Sequence, residues 1–186
     1  RDYYASRGLG DVYKRQDLEA APTRLQALIM FIRVLGEEEQ ALAWSGTTPF
    51  KDIEKGSQAE HYVGYAYEKG YTNGYTATSF KPAGAVNAYQ YTEFVLRAMG
   101  YSSAANKDLS DTLLRAVNAG VLTDGHAAML QSAAFLRAQL VYISYYALEA
   151  DLPDGSQSLA DYLMDLGVFT RDEWRSSWKL VKSERL

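Results

Sequence analysis

The sequence predicts an all-α fold built from tandem helix–loop–helix repeats. Apolar residues recur at helical spacing in short segments, and capping residues and stop glycines bound those segments. The same segment also returns 64 residues later. In the first copy Leu25, Leu28, Ile29, Ile32 and Leu35 form one stripe between Thr23 and Gly36. In the second copy Asn87 stands where Thr23 stands, Gln90 for Gln26, Arg97 for Arg33 and Gly100 for Gly36. Thr23 with Gln26 and Asn87 with Gln90 have capping-box spacing, in which each side chain satisfies a helix-end N–H. Gly36 and Gly100 suit the left-handed position after a helix.

A third copy runs from Phe135 to Leu148, with Arg137 matching Arg24 and Gln139 matching Gln26. Leu136 replaces its cap and Glu149 its stop glycine. A second kind of helix precedes the later copies. Tyr62 to Gly70, followed by Asn73-Gly74, corresponds to Leu113 to Gly120, followed by Thr123-Asp124-Gly125. Both glycine-bearing ends read as turns. Arg33 and Arg97 fall late in their helices, where positive charge complements the helix dipole, and both read as structural.

The chain divides accordingly into residues 1–16, a remnant of a first repeat at 17–48, a second repeat at 49–101 and a third at 102–150. A turn-rich linker and C-terminal helices follow at 151–186. Trp174 and Trp178, one helical turn apart, are expected to pack back on the third repeat. Asp11-Val12-Tyr13-Lys14-Arg15-Gln16 resembles the translation of a transposase adapter end, so residues 1–16 are expected to be a read-through artefact outside the fold. On that reading the front of the first repeat and any signal peptide are lost by truncation. Setting 1–16 aside leaves 170 residues with 15 basic and 21 acidic side chains. Eight of the 12 remaining tyrosines lie between Tyr62 and Tyr101, in the middle repeat.

Composition narrows the function. The acidic balance and the lack of a Lys/Arg cluster speak against nucleic acid. No apolar run reaches the roughly 18 residues of a membrane span. With no cysteine there is no disulfide, zinc–thiolate site or cysteine nucleophile. His61 and His126 have no metal-binding spacing around them, and no nucleophile elbow or phosphate-cradling loop is present. The expectation is therefore a protein that is not an enzyme and carries no metal or cofactor. Glu37-Glu38-Glu39 reads as a solvated helix start.

Phe50-Lys51-Asp52-Ile53, then a helix ending at Gly70, Gly74, Phe80-Lys81-Pro82 and the Thr-Arg-Leu-Gln of residues 23–26 together resemble S-layer homology repeats. The run from Val63 to Pro82 is similar to the clostridial variety of this family. Three departures stand out. Ala88 replaces the motif Arg in the middle copy, and the third copy lacks Phe-x-Pro. No tryptophan stands near Gln58, where the family usually has one.

The resemblance implies three repeats sharing a pseudo-threefold helical bundle, with the first repeat truncated. It implies grooves between repeats that bind a secondary cell-wall polysaccharide carrying ketal-linked pyruvate, and location on a bacterial cell surface. It also implies other surface-layer proteins as partners. On that reading Arg24 and Arg137 clamp the pyruvate carboxylate, because a planar guanidinium pairs bidentately with one. Asp52 orients the groove, and Gly74 and Gly125 let backbone approach the sugar. The alternative is a degenerate repeat that no longer binds glycan and serves as a structural or protein-interaction module.

Overall fold

The computed structural model describes residues 18–180, with side chains through 176; the expected artefact at 1–16 lies outside them. Their regular structure is helical, joined by turns and loops that hold three isolated bridges. In chain order the helices are α1 (Arg24–Val34), α2 (Glu38–Leu42), α3 (Gln58–Glu68), α4 (Ala88–Ala98) and α5 (Thr112–Asn118). They continue with α6 (Asp124–Ser132), α7 (Arg137–Glu149), α8 (Leu159–Asp165) and α9 (Arg171–Leu180).

The repeated segments become three inner helices, α1, α4 and α7, each touching both of the others. Leu28, Phe31, Tyr91, Val95, Leu140 and Ile143 close the space between them, all at most 2% exposed. Each such side chain contributes roughly 1.5–3 kcal/mol by leaving water. Phe31 meets Tyr91 edge-on at 6.1 Å, and the Tyr91 hydroxyl shares a hydrogen bond with Ser144 on α7. The caps follow the sequence with one exception. Thr23 and Gln26 exchange both bonds of a capping box. Asn87 accepts from Gln90 N–H at 2.9 Å, but Gln90 Oε1 is buried without a partner. Uncapped Leu136 still donates its N–H to Gln139 Oε1 at 2.9 Å.

An outer helix packs on each inner one: α3 on α1, α5 on α4 and α8 on α7. The third outer helix comes from the segment read as linker and tail. Asp151 and Ser158 bridge its entry, and the Tyr101 hydroxyl donates to Asp151 O at 2.9 Å, so 151–158 is a docked turn. Its closing geometry repeats that of the other outer helices. Tyr71, Val121 and Val168 donate backward to Ala66 O, Ala116 O and Leu163 O, past left-handed Gly70, Gly120 and Gly167. Val168 then fills the space beside Gly36, where a Cβ would lie 2.5 Å from Val168 Cγ1. Trp174 stacks on Tyr145 of α7 at 5.5 Å, as expected, while the Trp178 side chain lies outside those described.

Three local expectations change. Of the triple glutamate only Glu39 is exposed. Glu38 accepts from Arg33 Nε at 2.8 Å and from the Tyr62 hydroxyl, and Glu37 accepts from the Tyr71 hydroxyl. The tryptophan is supplied from farther upstream: Trp44 lies against Gly64, where any Cβ would collide with its ring, and donates Nε1–H to Glu68 at 2.7 Å. The turn expected at Thr123-Asp124-Gly125 is instead the start of α6. There Thr123 caps His126 N–H, and His126 Nδ1 accepts from Thr123 N–H.

Candidate functional site: a groove between the first and second copies

Two motifs far apart in sequence meet behind a groove without lining it. Phe50-Lys51-Asp52 and Ser79-Phe80-Lys81 are joined by Lys51 N–H to Thr78 O and by the Phe50 and Phe80 rings at 5.9 Å. Asp52 holds this junction. Its Oδ1 accepts from Phe80 N–H at 2.9 Å, and its Oδ2 accepts from Lys81 N–H and the Ser79 hydroxyl, each at 2.7 Å. Desolvation opposes its charge, but these three donors outweigh it and hold the carboxyl below the usual range. Asp52 thus shapes the groove through the loop it pins, and its oxygens are already engaged.

Phe80 passes that order to Arg24. The Phe80 carbonyl accepts from Arg24 Nε at 2.8 Å, and Gly84 O accepts the Arg24 backbone N–H at 2.9 Å. The side chain crosses from the first copy into the second, where its guanidinium carbon lies 4.9 Å from the Phe80 ring centroid and 5.4 Å from that of Phe94. Arg24 is 3% exposed, and burial pushes its pKa down to about 10, with Tyr75 opposing the shift. It is still charged at neutral pH. No carboxylate pairs with it among the described residues, so only Nε of the fork is spent, and the guanidinium lines the groove. A buried cation without a counter-ion is costly, and an incoming anion offsets that cost.

The groove holds about 860 Å³ and runs from Arg24, Tyr75 and Gly74 past Gln90 and Arg97 to Lys107. Gly74 is required by packing. With φ +86° it sits on Phe50, whose Cε1 would lie 2.3 Å from a Cβ. The floor is a buried ionic hub that the sequence did not reveal. Glu93, 1% exposed, accepts from Arg97 Nε (3.0 Å), Arg115 Nη2 (2.7 Å), the Ser102 hydroxyl (2.6 Å) and the Thr112 hydroxyl (3.2 Å). Arg97 spends its remaining nitrogens on Asn73 and Asn106, so it is structural, though through Glu93 and not through the helix dipole. An acid four residues before Arg97 on one helix was the available signal.

Arg137 and Gly125 lie elsewhere. Arg137 N–H donates to Ala20 O at 2.9 Å and Ala138 N–H to Leu18 O at 3.1 Å, matching the bonds of Arg24 and Leu25 to Gly84 and Pro82. The Arg137 side chain, however, reaches Gln26 Oε1 at 3.2 Å. Gly125 sits in the first turn of α6, where a Cβ would meet only Thr123 Oγ1 at 3.8 Å, and lines no part of the groove. Ala88, the third member of the set, is buried and offers no charge.

The junction behind the groove falls inside residues 49–87, which match the family model of the S-layer homology domain. That segment, about a fifth of the chain, is recognised as S-layer homology sequence. Domains of this family anchor proteins to cell-wall polysaccharide. No curated protein and no solved structure matches the chain significantly. Among the described residues no helix is long and apolar enough to cross a membrane, and no group of acidic or histidine side chains is placed to hold a metal ion.

Proposed function

We propose that this S-layer homology domain is a non-catalytic anchor on a bacterial cell surface, binding a secondary cell-wall polysaccharide through its pyruvate ketal. The observation that carries the reading is Arg24: a buried, charged guanidinium without a carboxylate partner, lining a groove large enough for a short oligosaccharide. A ketal carboxylate on a rigid sugar offers the two coplanar oxygens that the open fork can take. Tyr67 and Tyr75 bring half-exposed aromatic surface to the same groove, suited to the apolar face of a sugar.

The structural reading fits the other two inter-repeat positions. Arg137 is tied to Gln26 across the interface, and Ala88 is a packing residue. Binding is therefore assigned to the Arg24 groove, with the rest of the bundle holding it in shape.

Co-sedimentation with purified pyruvylated wall polysaccharide tests this. Wild type is expected to sediment with the polymer, and Arg24→Ala or chemical removal of pyruvate to abolish it. Equal sedimentation of Arg24→Ala, or equal binding to depyruvylated polymer, overturns the reading.

A further inference from the structure

Tyr75 stands at the rim of the groove with 49% of its surface exposed, yet its position is tightly set. Its backbone N–H and that of Thr76 both donate to Ser79 O, at 2.7 and 3.0 Å, closing a tight loop. Two cations flank its ring: Lys81 Nζ at 3.6 Å from the centroid and Arg24 Cζ at 5.8 Å. Lys81 is the one non-glycine residue among those described with a positive φ, +56°. For a lysine that conformation is uphill and persists only where neighbours impose it. Here Asp52 does so by accepting the Lys81 N–H at 2.7 Å. The motif loop thus spends backbone energy on a conformation that places an ammonium against the face of a groove-lining ring.

We propose that Tyr75 is a sugar-contacting residue of the Arg24 groove and that Lys81 is its positioning residue. This rests on the reading of the groove as a site for a carboxylate-bearing sugar. An exposed tyrosine rotates about two side-chain bonds and loses that freedom when a ligand settles on it. A ring already held by a cation loses less, and the saving appears as affinity. Lys81 acts through Tyr75 and is absent from the groove lining, while Tyr75 is part of it.

Titration calorimetry with pyruvylated wall-polysaccharide fragments separates the roles. Tyr75→Ala is expected to weaken binding about tenfold or more, in the manner of a buried aromatic contact. Lys81→Met keeps the aliphatic stem and is expected to cost about two- to fivefold, with Lys81→Arg restoring wild-type affinity. Lys51→Met removes the same charge from the adjoining segment without touching Tyr75 and is expected to bind as wild type. Thermal unfolding of each variant checks that the fold is intact.

Wild-type binding by Tyr75→Ala or Lys81→Met overturns the proposal, as does failure of Lys81→Arg to rescue. Equal losses in Lys51→Met and Lys81→Met reduce Lys81 to bulk charge and also overturn it. Loss in Arg24→Ala with wild-type binding in Tyr75→Ala leaves the carboxylate reading standing and removes this one. Wild-type binding in Arg24→Ala removes the reading beneath both.

Discussion

Arg24 and Arg137 occupy the same place in their repeats, and their backbones are held in the same way. Each opens an inner helix, and each donates its N–H to a carbonyl of the preceding segment of a neighbouring copy, Gly84 or Ala20. Their side chains end in different surroundings. Arg24 is buried near the rings of Phe80, Phe94 and Tyr75 and lines a cavity, whereas Arg137 is half-buried and bonded to Gln26. The motif therefore specifies the path of the backbone, and the neighbouring copy's loop decides whether that path becomes a site. Around Arg24 the loop is Tyr75 to Pro82, pinned by Asp52. The residues 64 positions before Tyr75–Phe80 are 11–16, outside the described residues.

The largest way to break this contrast is to remove the floor on which only the Arg24 groove rests. Glu93 stands where the first copy has Ile29, and it neutralises Arg97 and Arg115. Glu93→Ala leaves buried Arg97 uncompensated and is expected to cost about 3–5 kcal/mol in chemical denaturation. A loss under about 1 kcal/mol contradicts the hub.

The next effect separates two glycines that the sequence set side by side. Gly74→Ala must place a Cβ 2.3 Å from Phe50 and 2.5 Å from Thr76 O at a left-handed position. It is expected to destabilise by about 1–3 kcal/mol. Gly125→Ala, in a helix turn where the Cβ makes only an ordinary contact with Thr123 Oγ1 at 3.8 Å, is expected to be neutral or to stabilise by up to about 1 kcal/mol. Thermal unfolding of both variants checks the contrast.

Much of this architecture was legible. The capping pairs and stop glycines set the limits of α1 and α4 to within a residue or two, because those signals are local and chemical. Residues 151–186 were harder to read. Leu163, Gly167, Val168, Phe169 and Thr170 follow Ala116, Gly120, Val121, Leu122 and Thr123 at a constant spacing of 47. With Leu163 replacing the alanine, the Ala-x-x-x-Gly signature vanished while the backbone geometry stayed. Of the candidate site, Arg24 and Gly74 line the groove and Asp52 acts through Phe80. Arg137 and Gly125 lie outside it because inter-copy contacts, not spacing, build the cavity. Tyr75, Lys81 and Glu93 were not singled out, since, Arg97 aside, their partners lie across loops or on other helices.

A smaller effect sharpens the same comparison. Burial lowers the Arg24 pKa to about 10, and a bound carboxylate favours its charged form. The free protein therefore loses the binding-competent proton more readily than the complex does. Affinity is expected to stay flat near neutral pH and to fall as pH rises through about 10, by up to tenfold per unit above it. An affinity that falls instead between about pH 6 and 8 points to a histidine and away from Arg24.

The central claim, that one groove and one arginine carry recognition, is tested most directly by calorimetric stoichiometry. Wild-type protein titrated with pyruvylated wall-polysaccharide fragments is predicted to show about one site per chain, lost in Arg24→Ala and retained within about twofold in Arg137→Ala. Two or more equivalent sites, or a loss in Arg137→Ala equal to that in Arg24→Ala, would contradict it.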